Sequence, residues 1–163
     1  MKKIGTKSEE PGRRSTHPAP RREVLLYVED DDDNWRVAQL RLSDGYELIR
    51  AKSSAEACRV LESRGPELSA ILMDVELRGS DLDGVELTQL VRGKIKRSSV
   101  PEYARRVKAL TTPIIFVTAH GAKYGDTQLI LAGGDKVISK PVDFGALNLA
   151  LTQLHLSRMA RRA

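Results

Sequence analysis

The sequence lacks the features that mark secreted and membrane-spanning chains. Its 163 residues contain a single cysteine, Cys58, which excludes an internal disulfide framework and a cysteine-based zinc site. No apolar run approaches the roughly 18 to 20 residues that span a bilayer, and no apolar segment follows the basic N-terminus as it does in a secretory signal. The default expectation is therefore a cytoplasmic protein in a reducing environment.

Positive charge is concentrated in three stretches. The formal net charge is +5, yet residues 1–22 alone carry +5, residues 92–108 carry +6, and the last six residues add three arginines. All remaining residues together carry −9, so an acidic body bears basic appendages. We interpret residues 1–22, which contain three prolines, as a flexible leader and residues 158–163 as a basic tail. Such stretches can bind nucleic acid through counterion release, although a solvated tail is the simpler interpretation.

Short apolar runs alternate with helical patterns from residue 23 onward. A run that is apolar on both faces suits a buried parallel strand, and apolar residues three or four apart suit a helix packed on a sheet. Five strands are predicted, at Val24–Val28, Tyr46–Ala51, Leu68–Met73, Ile114–Val117 and Lys136–Ser139. Five helices are predicted, at 34–42, from Ser53 to Gly65, at 84–92, at 123–131, and from a cap at Asp143. This alternation predicts an α/β fold with a parallel sheet covered by helices on both faces.

One stretch does not fit this alternation. Residues 93–111, hereafter the basic insertion, are too long for a simple turn and contain most of the central Lys and Arg residues. Ser98, Ser99 and Pro101 interrupt a helix there, and Glu102–Leu110 is predicted as a short helix. We therefore expect one domain over residues 23–157 that carries this segment as an insertion.

Polar residues follow the predicted strands. Glu29 and Asp30 follow the first strand, Asp74 the third, Thr118 the fourth and Lys140 the fifth, without a glycine-rich phosphate loop or a catalytic triad. Because ligands bind at the carboxyl ends of strands in open α/β sheets, we expect these groups to meet. Clustered carboxylates repel one another, and a hard cation such as Mg²⁺ relieves the repulsion. An aspartate can also attack phosphorus and form an acyl phosphate.

The same residues resemble the receiver domain of two-component response regulators. The matching strings are Val-Glu29-Asp30-Asp31, Leu-Met-Asp74 with Asp83-Gly84 behind it, Ile-Phe-Val-Thr118-Ala119 and Ser139-Lys140-Pro141. Each string is weak alone, but all four occur in order at predicted strand ends, over roughly residues 23–156. The resemblance implies a flavodoxin-like, doubly wound sheet of five parallel strands in the order 2-1-3-4-5.

The resemblance also implies a metal site. Asp30 would be a direct ligand of Mg²⁺, and Glu29 would act partly through water. Asp74 and the backbone carbonyl of Glu76 would complete the protein ligands.

The remaining implied roles concern phosphoryl transfer. Asp74 would be the phosphoacceptor, Thr118 the switch hydroxyl, and Lys140 the partner of a phosphoryl oxygen. Pro141 would follow a peptide bond that is often cis in such domains. His120, two residues past Thr118, is interpreted as a loop residue rather than a catalytic base.

The implied function is that of a single-domain response regulator in a phosphorelay. It would accept a phosphoryl group from a sensor histidine kinase or phosphotransfer protein and signal through a downstream partner. It would not be an enzyme beyond its own phosphoryl transfer and dephosphorylation. We expect no output domain, because only about 20 residues follow Lys140.

Three departures from the family pattern keep alternatives open. Val137 replaces a usual aromatic residue, the segment from Asp74 to Gly84 is about two residues longer than usual, and the basic insertion is much longer than the usual connection. One alternative is a pseudo-receiver that binds partners without phosphorylation. Another is a protein that binds nucleic acid through the basic insertion and the N-terminal tail of residues 1–22.

Overall fold

A computed structural model of the protein describes residues 21–119 and 123–162. The predicted leader lies outside the described residues except for its last two positions, and so does His120. None of the helices in the described part of the chain is long and apolar enough to cross a bilayer.

A parallel sheet forms the centre of the described chain. It contains five strands in the order β2-β1-β3-β4-β5, which confirms the predicted order. The strands are β1 Glu23–Val28, β2 Tyr46–Ala51, β3 Leu68–Asp74, β4 Ile114–Thr118 and β5 Lys136–Ser139. β1, β3 and β4 are almost entirely buried, which explains why the sequence shows them as continuous apolar runs.

Five α-helices alternate with these strands in the described residues. They are α1 Asp32–Leu42, α2 Ser54–Arg64, α3 Gly84–Val91, α4 Asp126–Ala132 and α5 Phe144–Arg162. Asp31 caps α1 by accepting from the backbone N–H groups of Asp33 and Asn34, at 3.0 and 2.9 Å. Asp143 caps α5 as predicted, because its Oδ1 accepts from the two N–H groups at 145 and 146, at 2.9 and 3.0 Å.

The predicted starts of two helices are wrong. α1 begins at Asp32, two residues earlier than predicted. α4 begins at Asp126, three residues later than predicted, because Gln128 accepts the backbone N–H of Gly125 at 2.9 Å and so fixes Gly125 as the cap. α5 continues to Arg162, so residues 158–162, which we interpreted as part of a basic tail, form the end of this helix.

Helices cover both faces of the sheet, as predicted. Alternate strand residues such as Leu26 and Val28 pack with α2, α3 and α4, whereas Leu25 and Tyr27 pack with α1 and α5. This division follows from the alternation of side chains along a strand. The strand ends are left uncovered by this arrangement.

The basic insertion is a packed element of the domain. Val100, Ala104 and Val107 are buried in the core that also contains α2. The predicted helix at 102–110 is wrong, since the segment forms short 3₁₀ turns at Arg97–Ser99 and Glu102–Ala104. The Arg97 guanidinium donates to the backbone carbonyls at 105 and 107, which therefore need no helical partner.

Arg92 joins the ends of this insertion to the rest of the fold. Its guanidinium donates to the carbonyls of Leu110 and Thr112 at 2.8 and 2.9 Å, and to the carbonyl of Gly133 at 2.9 Å. It also pairs with Asp135 at 2.9 Å. Three loops thus share one cation that is only partly exposed, and bonds of a charged donor to carbonyls are among the stronger hydrogen bonds.

Candidate functional site

The register of the sheet brings four strand ends to one edge. Three neighbouring pairs define it, namely Val28 with Met73, Asp74 with Val117, and Thr118 with Ser139. The residues that follow β1 and β5, Glu29 and Lys140, are therefore placed beside Asp74. The predicted convergence of polar groups at this edge follows directly from parallel pairing.

Three carboxylates form the centre of the site. Glu29, Asp30 and Asp74 each offer an oxygen, and these oxygens lie within 4.8 Å of one another. Glu29 is fully buried and Asp74 is 6% exposed, whereas Asp30 is partly exposed. Together with Lys140 and Glu76 they line a cleft of about 300 Å³. Like charges at this separation require a compensating cation.

Lys140 supplies part of that compensation. Its Nζ donates to Asp74 Oδ2 at 2.7 Å and to Glu29 Oε2 at 2.8 Å. Its backbone N–H donates to the Thr118 carbonyl at 2.7 Å, which fixes the residue beside β4. The peptide bond from Lys140 to Pro141 is cis, as predicted.

The charged states of the central groups follow from their surroundings. Burial raises the pKa of Asp74, and the charge of Glu29 raises it further, against the opposing hydrogen bond from Lys140. Burial acts to lower the pKa of Lys140, but its hydrogen bonds to the two carboxylates outweigh burial and raise it. The site therefore contains a protonated ammonium and an excess of negative charge.

Glu29 is held rigidly at the base of the cleft. Its Oε2 also accepts from the Tyr27 hydroxyl at 3.0 Å, and its Oε1 accepts from the Asp31 backbone N–H at 3.0 Å. Burial, followed by the charge of Glu29, raises the pKa of Tyr27, so its phenol stays a donor. A fully buried carboxylate is thus satisfied by three donors.

The donor set fits a hard divalent cation. Every available ligand atom is an oxygen, which suits Mg²⁺ rather than a zinc-type site. Asp74 Oδ1 accepts from the Glu76 backbone N–H at 3.2 Å, and Glu76 borders the same cleft. The role of the Glu76 carbonyl as a ligand stays a prediction.

Comparison with known proteins agrees with this geometry. Residues 25–152 match the response regulator receiver domain family. The chain belongs to this family. Receiver domains are signalling modules of two-component systems and not enzymes, they bind Mg²⁺ through an acidic pocket, and they interact with histidine kinases or phosphotransfer proteins.

Individual relatives support the same assignment. The chain is 33% identical over 120 residues to the polar-differentiation response regulator DivK of Brucella ovis, covering 72% of this chain and 84% of DivK. It is 30% identical over 118 residues to the uncharacterised transcriptional regulatory protein YrkP of Bacillus subtilis, covering 72% of this chain but only 42% of YrkP.

A solved structure supports the fold of the receiver domain. It is a crystal structure from Chloroflexus aurantiacus of a protein named as a candidate response regulator. The two chains superpose with a TM-score of 0.64 at 28% sequence identity, over 83% of this chain and 99% of that one.

Among the described residues, Thr118 contacts the site of this receiver domain through its backbone carbonyl, and its hydroxyl does not join the central contacts. It is 6% exposed at the end of β4, and its hydroxyl donates to the Ala119 carbonyl at 3.4 Å. Among the described residues, those that line the cleft include Ala119 but not Thr118. The structure therefore brings Glu29, Asp30, Asp74 and Lys140 together, and it leaves Thr118 at the adjacent strand end.

Arg50 is a contributor that the sequence did not reveal. It lies on β2 opposite Tyr27, and its guanidinium donates to the backbone carbonyls of Glu29 and Asp30, both at 3.1 Å. It also pairs with Asp32 at 2.7 Å, and its side chain is only 14% exposed. The available signal was an arginine in a strand that is otherwise mostly apolar. Arg50 fixes the backbone that presents the two acidic residues of this receiver domain.

Arg78 is the second unpredicted contributor. It lies in the long loop between β3 and α3, and its Nε donates to Asp30 Oδ2 at 2.8 Å. Its Nη2 is 3.5 Å from Asp31 Oδ2, and the side chain is 76% exposed. The sequence marked this loop of the receiver domain as long, but the direction of its arginine depends on the path of the backbone.

Proposed function

We propose that this protein accepts a phosphoryl group on Asp74 from a phosphohistidine of a kinase or phosphotransfer protein, and then signals to a downstream protein in the cytoplasm. The observation that supports this proposal is the placement of Lys140 Nζ between Asp74 and Glu29, at 2.7 and 2.8 Å. A nucleophilic carboxylate beside an ammonium in an acidic cleft is what formation of an acyl phosphate requires.

The transfer step uses Asp74 as the nucleophile. A carboxylate oxygen attacks phosphorus, the new O–P bond forms, and the N–P bond of the phosphohistidine breaks. The bonding electron pair leaves on the imidazole nitrogen, which takes a proton from solvent. Lys140 then pairs with a phosphoryl oxygen, because its Nζ already donates to Asp74 and to Glu29.

The proposed metal ligands are Glu29, Asp30, Asp74 and the backbone carbonyl of Glu76. When bound, Mg²⁺ neutralises the carboxylates and the phosphoryl oxygens. Glu29 is fixed by Tyr27 and the Asp31 N–H, so it holds its position whether or not Asp74 is modified.

Thr118 is proposed to report the modification. Its bond to the Ala119 carbonyl is long, at 3.4 Å, so the hydroxyl can turn toward new acceptor oxygens on Asp74 at low cost. Movement of a strand-end hydroxyl toward added charge is a local event that biases a neighbouring loop. Val137, next to Phe116 in the sheet, stands where the family usually has an aromatic residue, so the path beyond Thr118 differs from the usual one.

Intact-mass measurement after incubation with acetyl phosphate and Mg²⁺ tests the proposal. Wild-type protein should gain one phosphoryl mass, and Asp74→Asn should gain none. Asp33→Asn is a matched control, since Asp33 lies on α1 near the cleft with its side chain 89% exposed. A gain in Asp74→Asn, or no gain in wild type, would overturn the proposal.

The pseudo-receiver alternative makes a different prediction. Beryllofluoride with Mg²⁺ mimics the acyl phosphate, so resonance shifts at Thr118 and Lys140 support phosphoacceptance. Unchanged resonances at both residues, together with no mass gain, support a module that acts without phosphorylation.

A nucleic-acid role would use the basic insertion. Lys96, Arg105 and Lys108 are exposed, and none of the ion pairs formed within the described residues involves them. Because the segment is packed, it holds these cations in a fixed arrangement. Steep salt dependence of DNA retention, lost when Arg105 and Arg106 are neutralised, would support this second function.

A further inference from the structure

We propose that Arg78 is a built-in competitor of the metal, a cation that occupies Asp30 and that Mg²⁺ has to displace. The inference deepens the proposed function and rests on it, because it concerns the same acidic cleft. The inference gives a role to the loop between Asp74 and Gly84, which is longer here than is usual in the family.

The charges of the cleft divide between two resident cations. Lys140 contacts Glu29 and Asp74 from the β5 side, and Arg78 contacts Asp30 from the mouth of the cleft. Each of the three clustered carboxylates therefore already has a cationic partner. Asp30 is the one whose partner is mostly exposed, since the Arg78 side chain is 76% exposed.

The contact between Arg78 and Asp30 blocks a ligand atom. Arg78 Nε donates to Asp30 Oδ2 at 2.8 Å, so this oxygen already accepts a charged hydrogen bond. A divalent cation at the same carboxylate would stand close to a second positive charge, and the repulsion is direct because the guanidinium contacts the same carboxylate. Binding of Mg²⁺ is therefore coupled to departure of the Arg78 side chain toward solvent.

The loop backbone aims Arg78 at the cleft. Gly79 has φ of +69°, a left-handed conformation that favours glycine, and it turns the chain directly after Arg78. The Ser80 hydroxyl accepts from the Ser54 backbone N–H at 3.1 Å, which attaches the loop to the start of α2. The loop is thus fixed while the arginine side chain remains free to leave.

Isothermal titration of Mg²⁺ into full-length, unphosphorylated protein tests the inference without any activity measurement. Arg78→Ala should lower the dissociation constant about three- to tenfold, because an exposed ion pair and a direct charge repulsion are removed. Arg78→Lys keeps the charge and should lie between wild type and Arg78→Ala.

Arg36→Ala is the matched control. Arg36 is also an exposed arginine, 75% exposed, but it pairs with Asp33 on α1 rather than with a cleft carboxylate. Its removal should change the dissociation constant less than about twofold, because solvent and salt screen the distant charge.

The outcomes separate this inference from the function on which it rests. An unchanged or weaker Mg²⁺ affinity in Arg78→Ala overturns the proposed competition. An equal gain of Mg²⁺ affinity in Arg36→Ala also overturns it, because the effect would then come from net charge. Absence of Mg²⁺ binding in every variant overturns the metal site itself. Failure of phosphoacceptance is detected separately, by the intact-mass experiment on Asp74.

Discussion

Gly84, at the start of α3, lies directly against the backbone of Asp74. A Cβ placed on Gly84 would stand 1.9 Å from the Asp74 carbonyl oxygen. The Gly84 N–H also donates to the Val75 carbonyl at 2.9 Å. The missing side chain at position 84 thus allows the helix to approach the end of β3 and determines where Asp74 lies.

Gly84→Ala should therefore destabilise the fold and displace Asp74. Because the atom in contact belongs to the backbone rather than to a flexible side chain, we expect a loss of about 1 to 3 kcal/mol in the free energy of unfolding. Phosphorylation by acetyl phosphate should slow as well. Urea denaturation measures the first effect, with Gly45→Ala as control because a Cβ there meets nothing within 4 Å. Equal stability of the two variants would contradict the close approach.

The pH dependence of stability should depend on Asp74. Its pKa is raised to about 6 by burial and by Glu29, above roughly 3.9 in an unfolded chain. The folded state therefore binds more protons between these values, and stability falls as the pH rises through them. Asp74→Asn has no titratable carboxyl at this position, so its stability does not fall in this way. Without metal, it should be more stable than wild type at pH 7.5, by on the order of 1 to 2 kcal/mol, and the difference should shrink at pH 5.

Urea titrations at both pH values, in the presence of a chelator, measure this difference. Asp33→Asn, on an exposed side chain, should show no comparable change between the two pH values. If the stability difference between wild type and Asp74→Asn were larger at pH 5 than at pH 7.5, the predicted direction of the pH dependence would be wrong.

Arg50→Met should weaken the acidic site without touching a carboxylate of the cluster. The change leaves the carbonyls of Glu29 and Asp30 without their charged donor, so we expect a loss of about 1 to 3 kcal/mol in stability. Mg²⁺ affinity should also fall, because the backbone that presents Asp30 is less well fixed. Denaturation and calorimetric titration measure the two effects, and Arg36→Met provides the comparison. Unaltered metal affinity would restrict Arg50 to a structural role.

Tyr103 links the basic insertion to the loop that carries Arg78. Its hydroxyl lies 2.8 Å from Ser54 Oγ and donates to Asp81 at 3.1 Å. In Tyr103→Phe, amide hydrogen exchange at residues 79–83 should accelerate about five- to tenfold. This factor corresponds to the free energy of one lost hydrogen bond. Tyr46→Phe, which removes a hydroxyl from β2, should leave this loop unchanged. Identical exchange in both variants would mean that the insertion does not hold the loop.

The sheet and its acidic edge could be predicted because they depend on local signals. β2 and β5 were predicted at their observed bounds, and β1, β3 and β4 within one residue, since buried parallel strands are short apolar runs that end abruptly. Once the strands are parallel, Glu29, Asp74 and Lys140 must meet. The predicted role of Thr118 is not yet visible in its contacts, because its hydroxyl bonds to the adjacent carbonyl.

The remaining features depend on individual side-chain hydrogen bonds, some of them between distant parts of the chain. The start of α4 is set by the side chain of Gln128, and the turns of the basic insertion are set by Arg97, which takes carbonyls that a helix would have used. Arg50 and Arg78 reach the site across 20 and 48 positions of sequence. The sequence pattern does not indicate contacts over such separations, so only the structure identifies these two arginines as contributors to the site.

The ends of the basic insertion meet, because the Leu110 N–H donates to the Val91 carbonyl at 2.8 Å. The chain therefore leaves and re-enters the rest of the domain at one point, and deletion of the segment between these ends would need little change in the flanking backbone. Such a deletion would, however, expose the part of α2 around Cys58 and Leu61 that packs in the same core as Val100, Ala104 and Val107. The apolar surface of α2 and the basic insertion are thus interdependent, because each keeps the other's apolar side chains out of water.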